Sequence, residues 1–173
     1  MEEYSFSFIN NDLIAKCHQL NESNVPNVGS TTLKDLTNLV ENSDYNECVL
    51  FENKVIGFIV CFKDNKLTKS YMNQINHKNF KEISNRVNNF LYIDRIAIDV
   101  EYRNMKLGSK LYKKIHHYAK QNNIKNLTAE INLLPSINKA SFKFHQSFGF
   151  QEIDTVKHTD DYEVSLQKLL INS

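Results

Sequence analysis

No charge of either sign dominates this chain of 173 residues: 21 Lys and Arg stand against 20 Asp and Glu. Such balance gives no pull toward nucleic acid or an anionic membrane surface. No long apolar run follows the acidic Met1-Glu2-Glu3 start. That argues against a signal peptide and a membrane span, and for a cytoplasmic protein. Paired cysteines are missing too. Cys17, Cys48 and Cys61 are odd in number, far apart and in no Cys-x-x-Cys arrangement, which fits buried, reduced thiols. His116 and His117 are adjacent and so point to different sides of a helix; no metal site is expected. A Gly-Lys-[Ser/Thr] phosphate loop is absent, which excludes a P-loop nucleotide site. No repeat and no linker-like stretch is visible, so residues 1–173 are expected to form a single domain, long enough for one sizeable core.

What is there reads as an α/β fold. Phe6 and Phe8 alternate in a short strand near 4–9, and Leu13, Ile14, Cys17 and Leu20 fall at helical spacing over about 11–21. Val25-Pro26-Asn27-Val28-Gly29 breaks that helix. Thr32-x-x-Asp35 resembles a capping box opening a second helix with Leu33, Leu36 and Val40. The β-rich runs 48–51 and 55–62, joined by Glu52-Asn53-Lys54, predict a hairpin. The Asn- and Lys-rich stretch 63–89 predicts an excursion with one helix near 78–88. A strand follows at 90–98, then a helix whose core stripe is Leu107, Leu111, Ile115 and Ala119. Further on come a strand over 127–133 ended by Pro135, a helix over 138–148 ended by Gly149, and two strands at 150–157 and 162–169. A strand–helix–strand crossover is parallel and right-handed. The sheet is therefore expected to be mixed and twisted, parallel in the middle and antiparallel at its flanks, with helices on both faces.

Ligands of such folds bind beyond the carboxyl ends of strands, at helix N-termini, where first-turn N–H groups and the helix dipole favour an anion. The segment 103–109 sits at such a place and carries Arg103 and Lys106, with Lys110, Lys113 and Lys114 behind. By residue type this is either a pyrophosphate cradle or a solvated basic helix face. On the helix over 138–148, Asn138 and His145 differ by only about 20° in azimuth, with Ser141 near the same face. Ala140, Phe144 and Phe148 make an adjacent apolar stripe. Glu130 and Asn132 share one face of their strand. Asp94 and Arg95 are charged residues inside an otherwise apolar strand. If buried, Arg95 needs a carboxylate, from Asp94 or Glu130.

Two motifs then carry a resemblance. Arg103-x-x-Lys106-x-Gly108 resembles the [Gln/Arg]-x-x-Gly-x-[Gly/Ala] signature of the GNAT acetyltransferases. Asn138-Lys-Ala-Ser141-Phe-Lys-Phe144-His145-Gln-Ser-Phe-Gly149-Phe150 resembles their second signature, Asn-x-x-[Ala/Ser]-x-x-[Phe/Leu]-Tyr-x-x-x-Gly-Phe. Lys106 stands where the family has its first Gly, and His145 where it has a Tyr proposed as proton donor. A bacterial subgroup of the family shows the same Phe-His before its Gly-Phe.

The resemblance implies a GNAT-type fold and an acetyl-CoA-dependent N-acetyltransferase without a metal. Backbone groups of Ile96, Ala97 and Ile98 would pair with the pantetheine, and Arg103, Asn104, Met105, Lys106, Leu107, Gly108 and Ser109 would hold the pyrophosphate. Asn138, Ser141 and His145 would line the cofactor. Acyl transfer to an amine needs the amine neutral and the departing thiolate protonated or stabilised. Glu130 is the expected proton acceptor, with Asp94 second, and His145 the expected donor. None of the cysteines lies in the motif region, which speaks for direct attack. Residues 22–32 and 63–89 are expected to shape the acceptor site, for an amine of a small molecule or peptide. Family members often form homodimers, so that partner is expected as well. The competing reading is a non-catalytic CoA-binding regulatory module with the same fold.

Overall fold

A computed structural model describes residues 4–171. In chain order the elements are β1 (Ser5–Ser7), α1 (Ile14–Ser23), α2 (Leu33–Asn42), β2 (Tyr45–Phe51), β3 (Lys54–Lys63), α3 (Lys66–Gln74), α4 (Lys78–Ser84) and β4 (Phe90–Ile98). A 3-10 helix (Val100–Met105), α5 (Leu107–Gln121), β5 (Asn126–Leu134), α6 (Lys139–Phe148), β6 (Gln151–Thr159) and β7 (Tyr162–Leu170) complete the series. The strands form a seven-stranded sheet in the order β1-β2-β3-β4-β5-β7-β6. It is mixed, as expected: β4 runs parallel to β5, and the β1–β2, β2–β3, β5–β7 and β6–β7 pairs are antiparallel. Among the described residues no helix is long and apolar enough to cross a membrane.

By compactness the chain divides into two units. One runs up to Phe62 and resumes at Ile93–His117; the other takes Lys63–Tyr92 and everything from Tyr118 on. In the first unit the β2–β3 hairpin turns on Glu52 and Asn53, both left-handed (φ 45° and 64°). Two such residues give the turn whose twist matches antiparallel strands. The N-cap arm of the expected capping box is present: Thr32 Oγ1 accepts from the Asp35 amide at 3.1 Å, and its hydroxyl, rather than the Thr32 amide, donates to Asp35 Oδ2 at 2.7 Å. Leu107, Leu111, Ile115 and Ala119 are fully buried, as their spacing predicts. Burying one such Leu or Ile stabilises the fold by roughly 1.5–3 kcal/mol. All three cysteines are free thiols and buried.

In the second unit the stretch 63–89 holds two helices rather than the one expected. Asn65 Oδ1 caps α3 by accepting from the Thr68 amide at 2.9 Å, and His77 Nδ1 caps α4 by accepting from the Phe80 amide at 3.2 Å. Helix α3 buries only Thr68 and Met72, too narrow a stripe to stand out in the sequence. Helix α4 ends at Ser84, four residues short of the expected end. Phe90, Leu91 and Tyr92 of β4 pair with Asn126, Leu127 and Thr128 of β5. Phe80 packs its ring against both Phe90 and Tyr92, at 5.6 Å between centroids in each case.

Candidate active site

In the first unit, β4 ends at Ile98 and the chain turns at once. The Asp99 amide donates to the Ile56 carbonyl at 2.9 Å, and Asp99 Oδ1 accepts from the Glu101 amide at 3.0 Å. The 3-10 helix then runs to Met105, and Lys106 takes a left-handed conformation (φ 57°, ψ 28°) before α5 begins. A right-handed residue followed by a left-handed one turns successive N–H groups into one concavity, a nest suited to an anion. The first-turn amides of α5, from Leu107 to Ser109, lack intrahelical acceptors and add the helix dipole. Lys106 thus holds a conformation that glycine adopts freely, at a cost of roughly 1 kcal/mol for an L-residue.

The basic cluster behind this loop is smaller than its sequence suggests. Arg103 donates to Asn24 Oδ1 at 3.0 Å. Lys110 donates to Tyr4 Oη and lies over that ring. Lys114 pairs with Glu47 at 2.5 Å and lies over Phe6. Lys106 and Lys113 are exposed to solvent. Lys106→Gly should remove the left-handed penalty and raise the melting temperature by about 2–4 °C, the shift that 1 kcal/mol gives at this chain length. Differential scanning calorimetry checks this; an unchanged or lower midpoint would mean that Lys106 carries no strain.

In the second unit, α6 organises the other motif. The Asn138 amide donates to the Asn132 carbonyl at 3.1 Å, which ties the helix start to β5. Asn138 Oδ1 is the N-cap, accepting from the Ser141 amide at 3.1 Å. One turn on, His145 Nδ1 donates to the Ser141 carbonyl at 2.8 Å and lies 3.2 Å from Ser141 Oγ. The structure thereby brings together Asn138, Ser141 and His145, which the sequence placed on one face. Gly149 (φ 91°) ends α6, its amide on the Gln146 carbonyl, and the Phe150 amide reaches the His145 carbonyl at 3.1 Å. This stop swings Phe150 edge-on to the His145 ring at 5.0 Å, and Phe144 meets the ring at 5.7 Å. His145 is consequently 3% exposed. Burial pushes its pKa below the ordinary 6.5, against the smaller opposing effect of the Ser141 carbonyl. Because Nδ1 carries the proton, Nε2 of the neutral ring bears the lone pair.

Glu130 lies on β5 opposite Leu166 of β7. Its Oε1 accepts from Asn79 Nδ2 of α4 at 3.1 Å. Asn79 Nδ2 also donates to Tyr162 Oη at 2.8 Å, and Asn79 Oδ1 accepts from His158 Nε2 at 2.7 Å. None of Asn79, His158 and Tyr162 was expected from the sequence. They stand 51, 79 and 83 positions from their partners, and no local pattern announces such a cluster.

Residues 15–150 match the model of the acetyltransferase (GNAT) family. The chain belongs to that family. Solved structures with the same fold include Ard1 from Thermoplasma volcanium, with a TM-score of 0.76 at 14% identity over 98% of this chain and 99% of that one. The ribosomal-protein-S18-alanine N-acetyltransferase of Escherichia coli aligns with a TM-score of 0.72 at 15% identity, over 99% and 96%. Arabidopsis thaliana Naa50, solved with the bisubstrate analogue CoA-Ac-MVNAL, gives 0.71 at 14%, over 96% and 97%. At these identities the likeness is one of fold. No curated protein sequence matches the chain.

Against the GNAT pattern, Asp94 and Arg95 find a plain structural use. Arg95 Nε lies 2.7 Å from Asp94 Oδ2, with their side chains 12% and 1% exposed. Arg95 also donates to Asn21 Oδ1 at 3.1 Å. Of the two partners expected for Arg95, Asp94 is therefore one it has. A buried charge needs such a partner. No cluster of three or more His, Cys, Asp or Glu that could hold a metal occurs among the described residues.

Proposed function

We propose that this chain transfers an acetyl group from acetyl-CoA to an amine of a small molecule or peptide by direct attack, with residues 1–173 acting as one acetyltransferase domain. The observation that carries the reading is Lys106: at the position of the family's first glycine, immediately before α5, it holds a left-handed conformation that suits a glycine. A lysine that pays this strain fits a loop shaped for phosphate, since the turn aims its amides at an anion. Two fold neighbours support CoA as the donor: Naa50 was solved with a CoA-peptide bisubstrate analogue, and the NatC complex with a peptide and CoA.

In this reading the amides from Arg103 to Ser109 hold the pyrophosphate, and the backbone of Ile96, Ala97 and Ile98 pairs with the pantetheine. Asn138, Ser141 and His145 contact the cosubstrate from α6. Acetyl-CoA supplies an activated thioester. Glu130, directly or through water, takes a proton from the acceptor ammonium. The freed nitrogen lone pair forms the amide bond as the carbon–sulfur bond breaks. The nitrogen loses its second proton and the sulfur gains one from the imidazolium form of His145, so one ammonium and one thioester give one amide, one thiol and one released proton. The buried free thiols fit a reducing compartment such as the cytoplasm.

Thiol release from acetyl-CoA with pooled amines tests the reading. Release that needs protein and amine together is expected. No release with any amine, while acetyl-CoA still raises the melting temperature, leaves a CoA-binding module.

A further inference from the structure

We propose that Asn79 is the positioning residue for Glu130, and that His158 fixes the direction in which its amide points. The inference rests on Glu130 taking the amine's proton, but its geometry stands apart from that reading. Asn79 is 6% exposed on α4, a helix outside both family motifs. Its side chain joins three strands: Glu130 on β5, His158 on β6 and Tyr162 at the start of β7. The amide's two N–H groups go to Glu130 Oε1 at 3.1 Å and Tyr162 Oη at 2.8 Å, and its oxygen takes the Nε2 proton of His158 at 2.7 Å.

An amide can be turned over, exchanging nitrogen and oxygen. Here the turned form would set Asn79 Oδ1 against the Glu130 carboxylate and Nδ2 against the His158 N–H. With the His158 proton on Nε2, both are like-to-like contacts that lose the bonds. His158 thereby selects the orientation that donates to Glu130. Its ring stacks on Tyr162, with centroids 5.1 Å apart and planes 24° apart. Burial, and then Lys78, lower the His158 pKa, with Glu82 opposing. The imidazolium donates from Nε2, and the neutral ring does so as its Nε2–H tautomer, the one that Asn79 Oδ1 accepts from. Arg86, just past α4, and Asp154 of β6 pair with each other at 2.8 Å; the further charged groups on these elements are Lys81 of α4, Glu152 and Lys157 of β6, and Glu163 and Lys168 of β7. A hydrogen bond donated to a carboxylate favours its ionised form, which is the form that can accept a proton.

The test is a carbon-13 NMR titration of the Glu130 carboxyl in the whole protein, run beside the pH profile of kcat/KM. Asn79→Ala should move the Glu130 midpoint up by about one pH unit, the share of one such bond among the two or three that can hold a carboxyl well below its usual range. The acid limb of kcat/KM should follow, with KM for acetyl-CoA unchanged. His158→Gln, which keeps an N–H donor near Nε2, should titrate like the parent, and His158→Ala should shift toward Asn79→Ala. An unmoved midpoint in Asn79→Ala, or identical midpoints in the two His158 variants, overturns the proposal. If the midpoint moves while turnover ignores it, the positioning stands and Glu130 loses its role as base.

Discussion

His145→Ala should lower turnover by about 100- to 10,000-fold, the usual worth of a lost proton transfer, and leave acetyl-CoA affinity within a few fold. The ring is 3% exposed, held edge-on by Phe144 and Phe150, and its Nδ1 proton is committed to the Ser141 carbonyl. Burial makes its imidazolium scarcer at neutral pH and more acidic when it forms. The advantage of the parent over His145→Ala should therefore be largest at low pH and shrink as pH rises. His145→Tyr should restore part of the rate and hold it through neutral pH, because a phenol stays protonated to about pH 10. Stability follows the same shift. Below pH 6.5 the unfolded histidine binds a proton that the folded one resists, so the fold loses stability as pH falls from 6.5 toward the lower folded value. Rates should be compared at temperatures where each variant's melt shows it folded. Parental turnover by His145→Ala across the pH range would reduce the histidine to packing or cofactor contact.

Glu130→Gln is the second large effect. At low pH it should cut kcat/KM by about 100- to 10,000-fold, because the acceptor is then an ammonium with no lone pair. The variant's rate should climb about tenfold per pH unit as free amine accumulates, until the amine's own pKa is reached, near 10.4 for a lysine-like acceptor. The deficit closes as pH rises, the signature of a missing base rather than of a damaged fold. Steady-state rates from about pH 6 to 9 measure it. Profiles of parent and variant that run parallel would show that Glu130 does not handle the proton.

Much of this was legible because the signals are local. Asn138, Ser141 and His145 sit three and four positions apart, the spacing that aligns side chains on one helix face. The structure turns that alignment into a chain of cap and ring contacts. Gly149-Phe150 could be read as a helix stop; that the stop also covers His145 could not, because it depends on where β6 begins. Lys106 posed a legible question, an L-residue at a glycine position, which its φ of 57° answers. Long-range pairing stayed hidden. Lys110 and Lys114 look like free cations in the sequence, yet their partners Tyr4 and Glu47 lie 106 and 67 positions away. Asn79 was one of many Asn in a polar stretch, and only the strands carrying Glu130, His158 and Tyr162 give it a purpose. Helix α3 was missed because capping by Asn65 and two buried side chains, not a broad apolar stripe, hold it.

The most direct test of the central claim is to incubate the protein with acetyl-CoA and a panel of small amines and peptides. Free thiol and acetylated amine are followed together, by colour reaction and mass spectrometry. The account predicts thiol and acetylated amine appearing in equal amounts, only when protein and a suitable amine are both present. Thiol released without any acetylated amine, or no release across the panel while acetyl-CoA leaves the melting temperature unchanged, would contradict it.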